Sequence, residues 1–96
     1  MTERTTHPGL VHGGRTAFVT GGGSGIGLET ALTLADLGAD VAVLDWTPGA
    51  AAAAAERIEG IGRRALAIEG DTGDEQTVVD AFAETGRALG AIDVAV

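Results

Sequence analysis

A chain of 96 residues with fourteen Asp and Glu against six basic residues, every one of them Arg, carries a formal net charge of −8. Phosphate backbones are bound through clusters of cations, and Arg4, Arg15, Arg57, Arg63, Arg64 and Arg87 are scattered apart from one adjacent pair, which argues against a nucleic-acid partner. The absence of cysteine excludes disulfides, thiolate metal sites and thiol nucleophiles and is compatible with a reducing, cytoplasmic setting, while no segment approaches the roughly 20 apolar residues that span a bilayer.

Apolar residues make up 45% of the chain, but only Phe18, Phe82 and Trp46 are aromatic, so the core of one small domain must be built from Val, Leu, Ile and Ala. Such a core suits a parallel sheet covered by helices. Met1 to Gly14 holds Thr, His, Pro and Gly without periodicity and reads as a flexible leader. His7 and His12 lie in it with no carboxylate cluster beside them, so no metal site is expected.

From Arg15 onward short β-branched runs alternate with helical stretches, the pattern of successive βαβ units. The first strand is Thr16 to Thr20. A helix follows from about Gly25 to Leu37, with Ile26, Ala31, Leu34 and Ala35 able to face a sheet and Gly38 as its stop. Asp40 to Asp45 is the second strand. Thr47 and Pro48 then offer an N-cap and a proline at the first helical position, opening a helix that runs through Ala50 to Ala55 and ends near Gly60. Arg64 to Glu69 is the third strand, after which Asp74 and Glu75 in a first helical turn favour the positive end of the helix dipole. Val78, Phe82, Thr85 and Leu89 recur at helical spacing as a buried stripe, and Ile92 to Val96 forms a fourth strand. The expected fold is α/β: a partial Rossmann arrangement, a doubly wound parallel sheet of four strands and three helices.

Residues 16 to 27 read Thr-Ala-Phe-Val-Thr-Gly-Gly-Gly-Ser-Gly-Ile-Gly, a strand running into a glycine-rich turn. The common dinucleotide fingerprint places glycine at i, i+2 and i+5, whereas Gly21, Gly25 and Gly27 stand at i, i+4 and i+6. No Lys follows, so a phosphate-loop NTPase is unsupported. The physical logic survives the changed spacing: glycines let the backbone turn sharply and approach a ligand, and exposed N–H groups at a helix start attract phosphate, with the Ser24 hydroxyl as an additional donor. A tight crossover in which glycines only permit close packing is the competing reading. Asp45, at the carboxyl end of the second strand and 18 residues after Gly27, stands where an acid would accept hydrogen bonds from an adenosine ribose, against the alternative of a solvated strand-end aspartate.

Thr20 to Gly27 match Thr-Gly-x-x-x-Gly-x-Gly, and Arg15 to Val96 as a whole resembles the first half of a short-chain dehydrogenase/reductase, including Asp71 after the third strand and Ile92-Asp93-Val94 leading into the fourth. The resemblance implies that Gly21, Gly25 and Gly27, with the backbone at Ser24 and Ile26, hold a pyrophosphate. It implies further that Asp45 binds the adenosine ribose hydroxyls and that Asp71 and the Thr72 backbone contact the adenine. Trp46 could pack on the adenine or cover the neighbouring helix. A carboxylate at Asp45 would repel the extra 2′-phosphate of NADP, and neither Ser24 nor Trp46 supplies a cation, so the expected cofactor is NAD.

Members of the family carry a Tyr-x-x-x-Lys pair with a Ser and an Asn; this sequence contains no Tyr, Lys or Asn. The resemblance therefore implies cofactor binding by residues 15 to 96 and hydride transfer on an alcohol or carbonyl by a longer, homo-oligomeric parent, with no catalytic residue in this chain. By the usual strand order the fourth strand would be an exposed apolar edge, so an isolated 96-residue product is expected to be unstable or to self-associate. Two other readings stand beside it: a complete small dinucleotide-binding or interaction module without catalysis, and a structural half-domain whose glycine turn binds nothing.

Overall fold

The computed structural model describes residues 14–96, so nearly all of the expected leader, His7 and His12 included, lies outside the described residues. The chain runs β1 (Thr16–Thr20), α1 (Gly25–Asp36), β2 (Asp40–Asp45), α2 (Ala50–Ile61), β3 (Ala65–Glu69), α3 (Glu75–Ala88) and β4 (Val94–Ala95). The strands form one sheet in the order β3-β2-β1-β4, and every neighbouring pair is parallel.

Alternation along the strands builds two cores. Ala17, Val19, Val41 and Val43 turn to one face, where they meet Ala31 and Ala35 of α1 and Ala51, Ala54 and Ile58 of α2. Phe18, Ala42 and Leu44 turn to the other, against Ala81 of α3 and Leu89 just beyond it. The alanines let both helices lie close on the sheet. All six residues of β2 are buried, which is why that strand reads Val-Ala-Val-Leu between its two aspartates rather than alternating with polar residues.

Several boundaries differ from the sequence expectation, each for a local reason. Ile26 does not face the sheet: it is 86% exposed in the first turn of α1. The second helix starts at Ala50, because the Ala50 N–H donates to the Thr47 carbonyl at 3.1 Å and Gly49 adopts a left-handed φ of 80°, making Thr47-Pro48-Gly49 a turn instead of a cap and first turn. That helix ends at Ile61, near Gly60 as expected, with Gly62 at φ 102° as its stop. Asp74 caps α3 from outside it, accepting from the Thr77 N–H at 3.0 Å and the Thr77 hydroxyl at 2.6 Å.

The stripe on α3 holds at Thr85 and Leu89, which are buried, and at Val78, which packs against the same core, and Ala81 joins it; Phe82 is 40% exposed, touching Phe18 edge-on with ring centroids 4.5 Å apart. Strand β4 is shorter than expected; ahead of it the Asp93 N–H donates to the Thr16 carbonyl at 2.8 Å, while the Thr16 N–H donates to the Asp93 carboxylate at 2.9 Å in place of a main-chain carbonyl. Beyond it, the Val96 N–H donates to the Phe18 carbonyl at 2.8 Å and the Thr20 N–H to the Val96 carbonyl at 3.0 Å.

Candidate functional site

The carboxyl ends of β1, β2 and β3 bring the predicted residues to one edge of the sheet. After Thr20 the Gly21 N–H still donates to the Leu44 carbonyl of β2 at 2.7 Å, and the chain then turns into α1. The glycines of the turn perform different tasks. Gly21 and Gly25 adopt φ of 65° and 57°, a region that L side chains rarely occupy, and a Cβ on either would meet nothing within 4 Å. Gly27 has no such φ; a Cβ there would collide with the Gly21 carbonyl, so this glycine lets α1 cross directly over the turn. Gly22, in the turn, packs against β2, where a Cβ would come within 2.8 Å of the Val43 side chain.

Ser24 stands at the N-cap of α1 with extended backbone and makes no side-chain cap hydrogen bond, and the first turn of the helix holds no acidic residue. The N–H groups of Gly25, Ile26 and Gly27 begin the helix without an intrahelical acceptor, as helix geometry requires. This is the donor set an anion needs: aligned N–H groups, a free hydroxyl and no competing carboxylate in the turn.

Asp45 sits beside this turn. Although it is only 6% exposed, both of its oxygens are held: Oδ2 accepts the Gly23 N–H at 2.9 Å and Oδ1 the Thr47 N–H at 2.9 Å. The Thr47 N–H, helped by that of Gly23, outweighs the opposing effect of burial and holds the Asp45 carboxyl below its ordinary value of 3.8. The group is therefore an anion at neutral pH, held by neutral donors, among them the Thr47 hydroxyl as well as the two N–H groups. Trp46, next in sequence, is 70% exposed.

The third loop joins the same edge. The Gly70 N–H donates to the Asp45 carbonyl at 3.1 Å, and Asp71 then closes a turn by accepting the Gly73 N–H on Oδ1 at 2.8 Å and the Asp74 N–H on its carbonyl at 3.1 Å. Asp71 and Thr72 are both exposed on that turn. The structure thus links the glycine turn directly to Asp45 and carries Asp71 and Thr72 on the adjacent loop. An open groove along α1, lined by Gly25, Ile26, Leu28, Glu29, Thr30, Thr33 and Leu34, shares only its first two residues with this site.

Two participants escaped the sequence reading: the N–H groups of Gly23 and Thr47, which orient the Asp45 carboxylate. Main-chain donors leave no mark in residue type, so only the run of three glycines hinted at the first. Among the described residues no group of three or more His, Cys, Asp or Glu could hold a metal ion, and no helix is long and apolar enough to cross a membrane.

The family model for short chain dehydrogenase matches residues 15–96. The chain belongs to that family. Short chain dehydrogenases with curated descriptions resemble it closely: an L-rhamnose 1-dehydrogenase (NAD(P)(+)) of Sphingomonas sp. (strain SKA58) is 40% identical over 84 residues, covering 86% of this chain and 33% of the relative. Among solved structures, a hydroxysteroid dehydrogenase from Escherichia coli superposes with a TM-score of 0.86 at 34% identity, covering 93% of this chain and 38% of that one. A 7α-hydroxysteroid dehydrogenase complexed with NADH and 7-oxo glycochenodeoxycholic acid superposes with a TM-score of 0.85 at 35% identity, covering 90% and 34%. The chain therefore spans about a third of the length of the relatives it matches, and it shares with them the oxidoreductase family and the partial Rossmann fold.

Proposed function

We infer that residues 15 to 96 are the NAD-binding portion of a short chain dehydrogenase whose full-length form moves a hydride between the cofactor and an alcohol or carbonyl substrate. The observation that carries this reading is the Asp45 carboxylate, buried, ionised and tied by Gly23 to the same turn whose first N–H groups face away from the helix. Gly21, Ser24, Gly25, Ile26 and Gly27 would hold the pyrophosphate, Asp45 the ribose hydroxyls, and Asp71 with the Thr72 backbone the adenine. When bound, the nicotinamide supplies the hydride chemistry; residues of this chain bind and orient, and no acid or base for the substrate is proposed among them.

The preference for NAD rests on charge. Asp45 meets backbone N–H groups and no cation, so a 2′-phosphate would face an uncompensated anion. Two like charges about 4 Å apart cost on the order of 1 kcal/mol in full solvent and about 4 kcal/mol near a protein surface. The NADH in the 7α-hydroxysteroid dehydrogenase complex is in keeping with this reading. The reading extends to a homo-oligomeric full-length protein, which sedimentation tests, and to a cytoplasmic location, which fractionation of native cells tests.

Titration with both cofactors, followed by quenching of Trp46, the sole tryptophan, tests the assignment. NADP should bind at least about tenfold more weakly than NAD, the equivalent of about 1.4 kcal/mol; equal affinities would overturn the role given to Asp45. The second reading is a dinucleotide-binding module without catalysis, and turnover of any alcohol by the native-length protein would exclude it.

A further inference from the structure

Strand β3 lies at the outer edge of the sheet, and by the usual doubly wound order the further strands of a full-length chain add beyond β4, so β3 remains an edge. Its main-chain groups alternate in direction. The Arg64 carbonyl accepts the Val41 N–H at 3.0 Å and the Gly70 N–H donates to the Asp45 carbonyl at 3.1 Å, so the even-numbered residues turn to β2. Ala65, Ala67 and Glu69 therefore direct their N–H and C=O groups away from the sheet. Ala67 and Glu69 are exposed. The usual protections of an edge are missing along the strand: Ala65 to Ile68 carry no proline and no charge, and the register with β2 runs without a bulge. Charge is confined to the two ends, where its sign differs. Arg63 and Arg64 precede the strand and share the single carboxylate of Asp40, which leaves that end net positive. Glu69 closes the strand and Asp71 follows, both exposed.

We propose that β3 is a pairing edge for a second copy of this chain: two β3 strands join antiparallel about a two-fold axis at Ala67, making one continuous sheet of the two. This centre pairs all three outward residues, Ala67 with the partner's Ala67 and Ala65 with the partner's Glu69. Each such pair exchanges both of its main-chain hydrogen bonds. The same axis sets Arg63 opposite the partner's Asp71 and Arg64 beside the partner's Glu69, so ends of opposite charge meet. A parallel pairing would set like charges side by side. The two-fold contact is closed, since each copy spends its free edge on the other and leaves none for a third. The proposal rests on the homo-oligomeric reading given above and names an interface for it.

The test uses the full-length protein, with any other cysteine replaced by serine. Ala67→Cys places two sulfurs at a pair whose Cα atoms lie about 5.5 Å apart, within disulfide range, so mild oxidation should link the two copies. Ala65→Cys alone should not link, whereas Ala65→Cys mixed with Glu69→Cys should. Ala67→Pro removes a donor that points away from β2 and costs the existing ladder no bond. Sedimentation should then show a smaller assembly, while calorimetry shows unchanged NAD affinity and so an intact fold. If Ala67→Pro fails to fold, Ala67→Lys sets two like charges on the axis and should dissociate the pair in the same way. Glu69→Arg should weaken self-association about two- to fivefold at low salt, with less effect at high salt. The proposal is overturned if Ala67→Cys does not link, if Ala65→Cys alone links as fast, or if neither Ala67→Pro nor Ala67→Lys changes the assembly. Sedimentation of the parent protein separates the two failures. An oligomer that survives these substitutions leaves the homo-oligomeric reading standing and removes this interface alone; a monomer at every concentration removes both.

Discussion

Strand β2 begins and ends with a buried aspartate, and the two ends use that carboxylate in opposite ways. Asp40, 5% exposed, is surrounded by cation: Arg64 donates its N–H at 2.9 Å and its Nε at 3.0 Å, its Nη2 lies at 2.9 Å, and Arg63 Nη2 lies at 3.2 Å. Arg64 continues to the Leu89 carbonyl at 3.1 Å, so one charge cluster fastens β2, the start of β3 and the end of α3. Burial pushes the Asp40 carboxyl up, but the Arg64 hydrogen bonds and the charges of both arginines outweigh it and hold it below its ordinary value. Asp45 reaches the same lowered state through neutral N–H groups. A buried acid with its charge cancelled is part of the scaffold, whereas one held only by neutral donors keeps a net negative field for a ligand to meet.

Substitutions along the sheet can break that contrast, and the largest effect is expected where packing is tightest. Gly27→Ala drives a Cβ into the Gly21 carbonyl, and overpacking of this kind costs about 1–3 kcal/mol or more; thermal unfolding should show the loss, together with abolished dinucleotide binding. Asp40→Asn follows. Removing one partner of a buried pair costs roughly 3–5 kcal/mol, reduced to about 2 kcal/mol here because the arginines can turn to water; Arg64 is already 63% exposed at its side chain. Cofactor selectivity should be untouched. Asp45→Asn should do the reverse, lowering stability by only about 1 kcal/mol through a lost hydrogen bond while collapsing the preference for NAD. A selectivity change in Asp40→Asn as large as in Asp45→Asn would erase the distinction between the two ends.

Acid sharpens the same comparison. Both carboxyls titrate below 3.8 in the folded chain. Each therefore contributes stability that is present above the unfolded value and is lost as pH falls through the lower folded value. Unfolding monitored below pH 3.8 should flatten in Asp40→Asn and in Asp45→Asn relative to the parent sequence. The smallest effect is expected at Asp74, whose cap on α3 is fully exposed. Asp74→Ala should lower the melting temperature slightly through loss of the Thr77 hydrogen bonds and leave cofactor affinity unchanged.

Much of the site was visible in residue types because its devices are local. The positive φ at Gly21 and Gly25 needs glycine whatever surrounds it, and a β-branched run followed by glycines announces a strand entering a tight turn. The misplacements have the same origin in reverse. Thr47 and Pro48 carry good helix-start chemistry, but the Thr47 N–H is drawn back to Asp45 and the helix waits until Ala50. Ile26 has an apolar side chain at helical spacing, yet in the first turn of α1 it is left exposed rather than packed on the sheet. Phe82 lies at the margin of the stripe that Ala81 and Thr85 occupy, because helical spacing alone does not say which side of a stripe meets the sheet.

Sequence by itself determined the parallel α/β layering, the glycine turn and the acid at the end of the second strand, since hydrophobic period, backbone permissiveness and strand-end position are properties of neighbouring residues. Only the tertiary structure decided which charges cancel and which remain. Gly23 and Asp45 are 22 residues apart and Asp40 and Arg64 are 24 apart. Their meeting depends on the register of adjacent parallel strands, a relation between segments that no local pattern records.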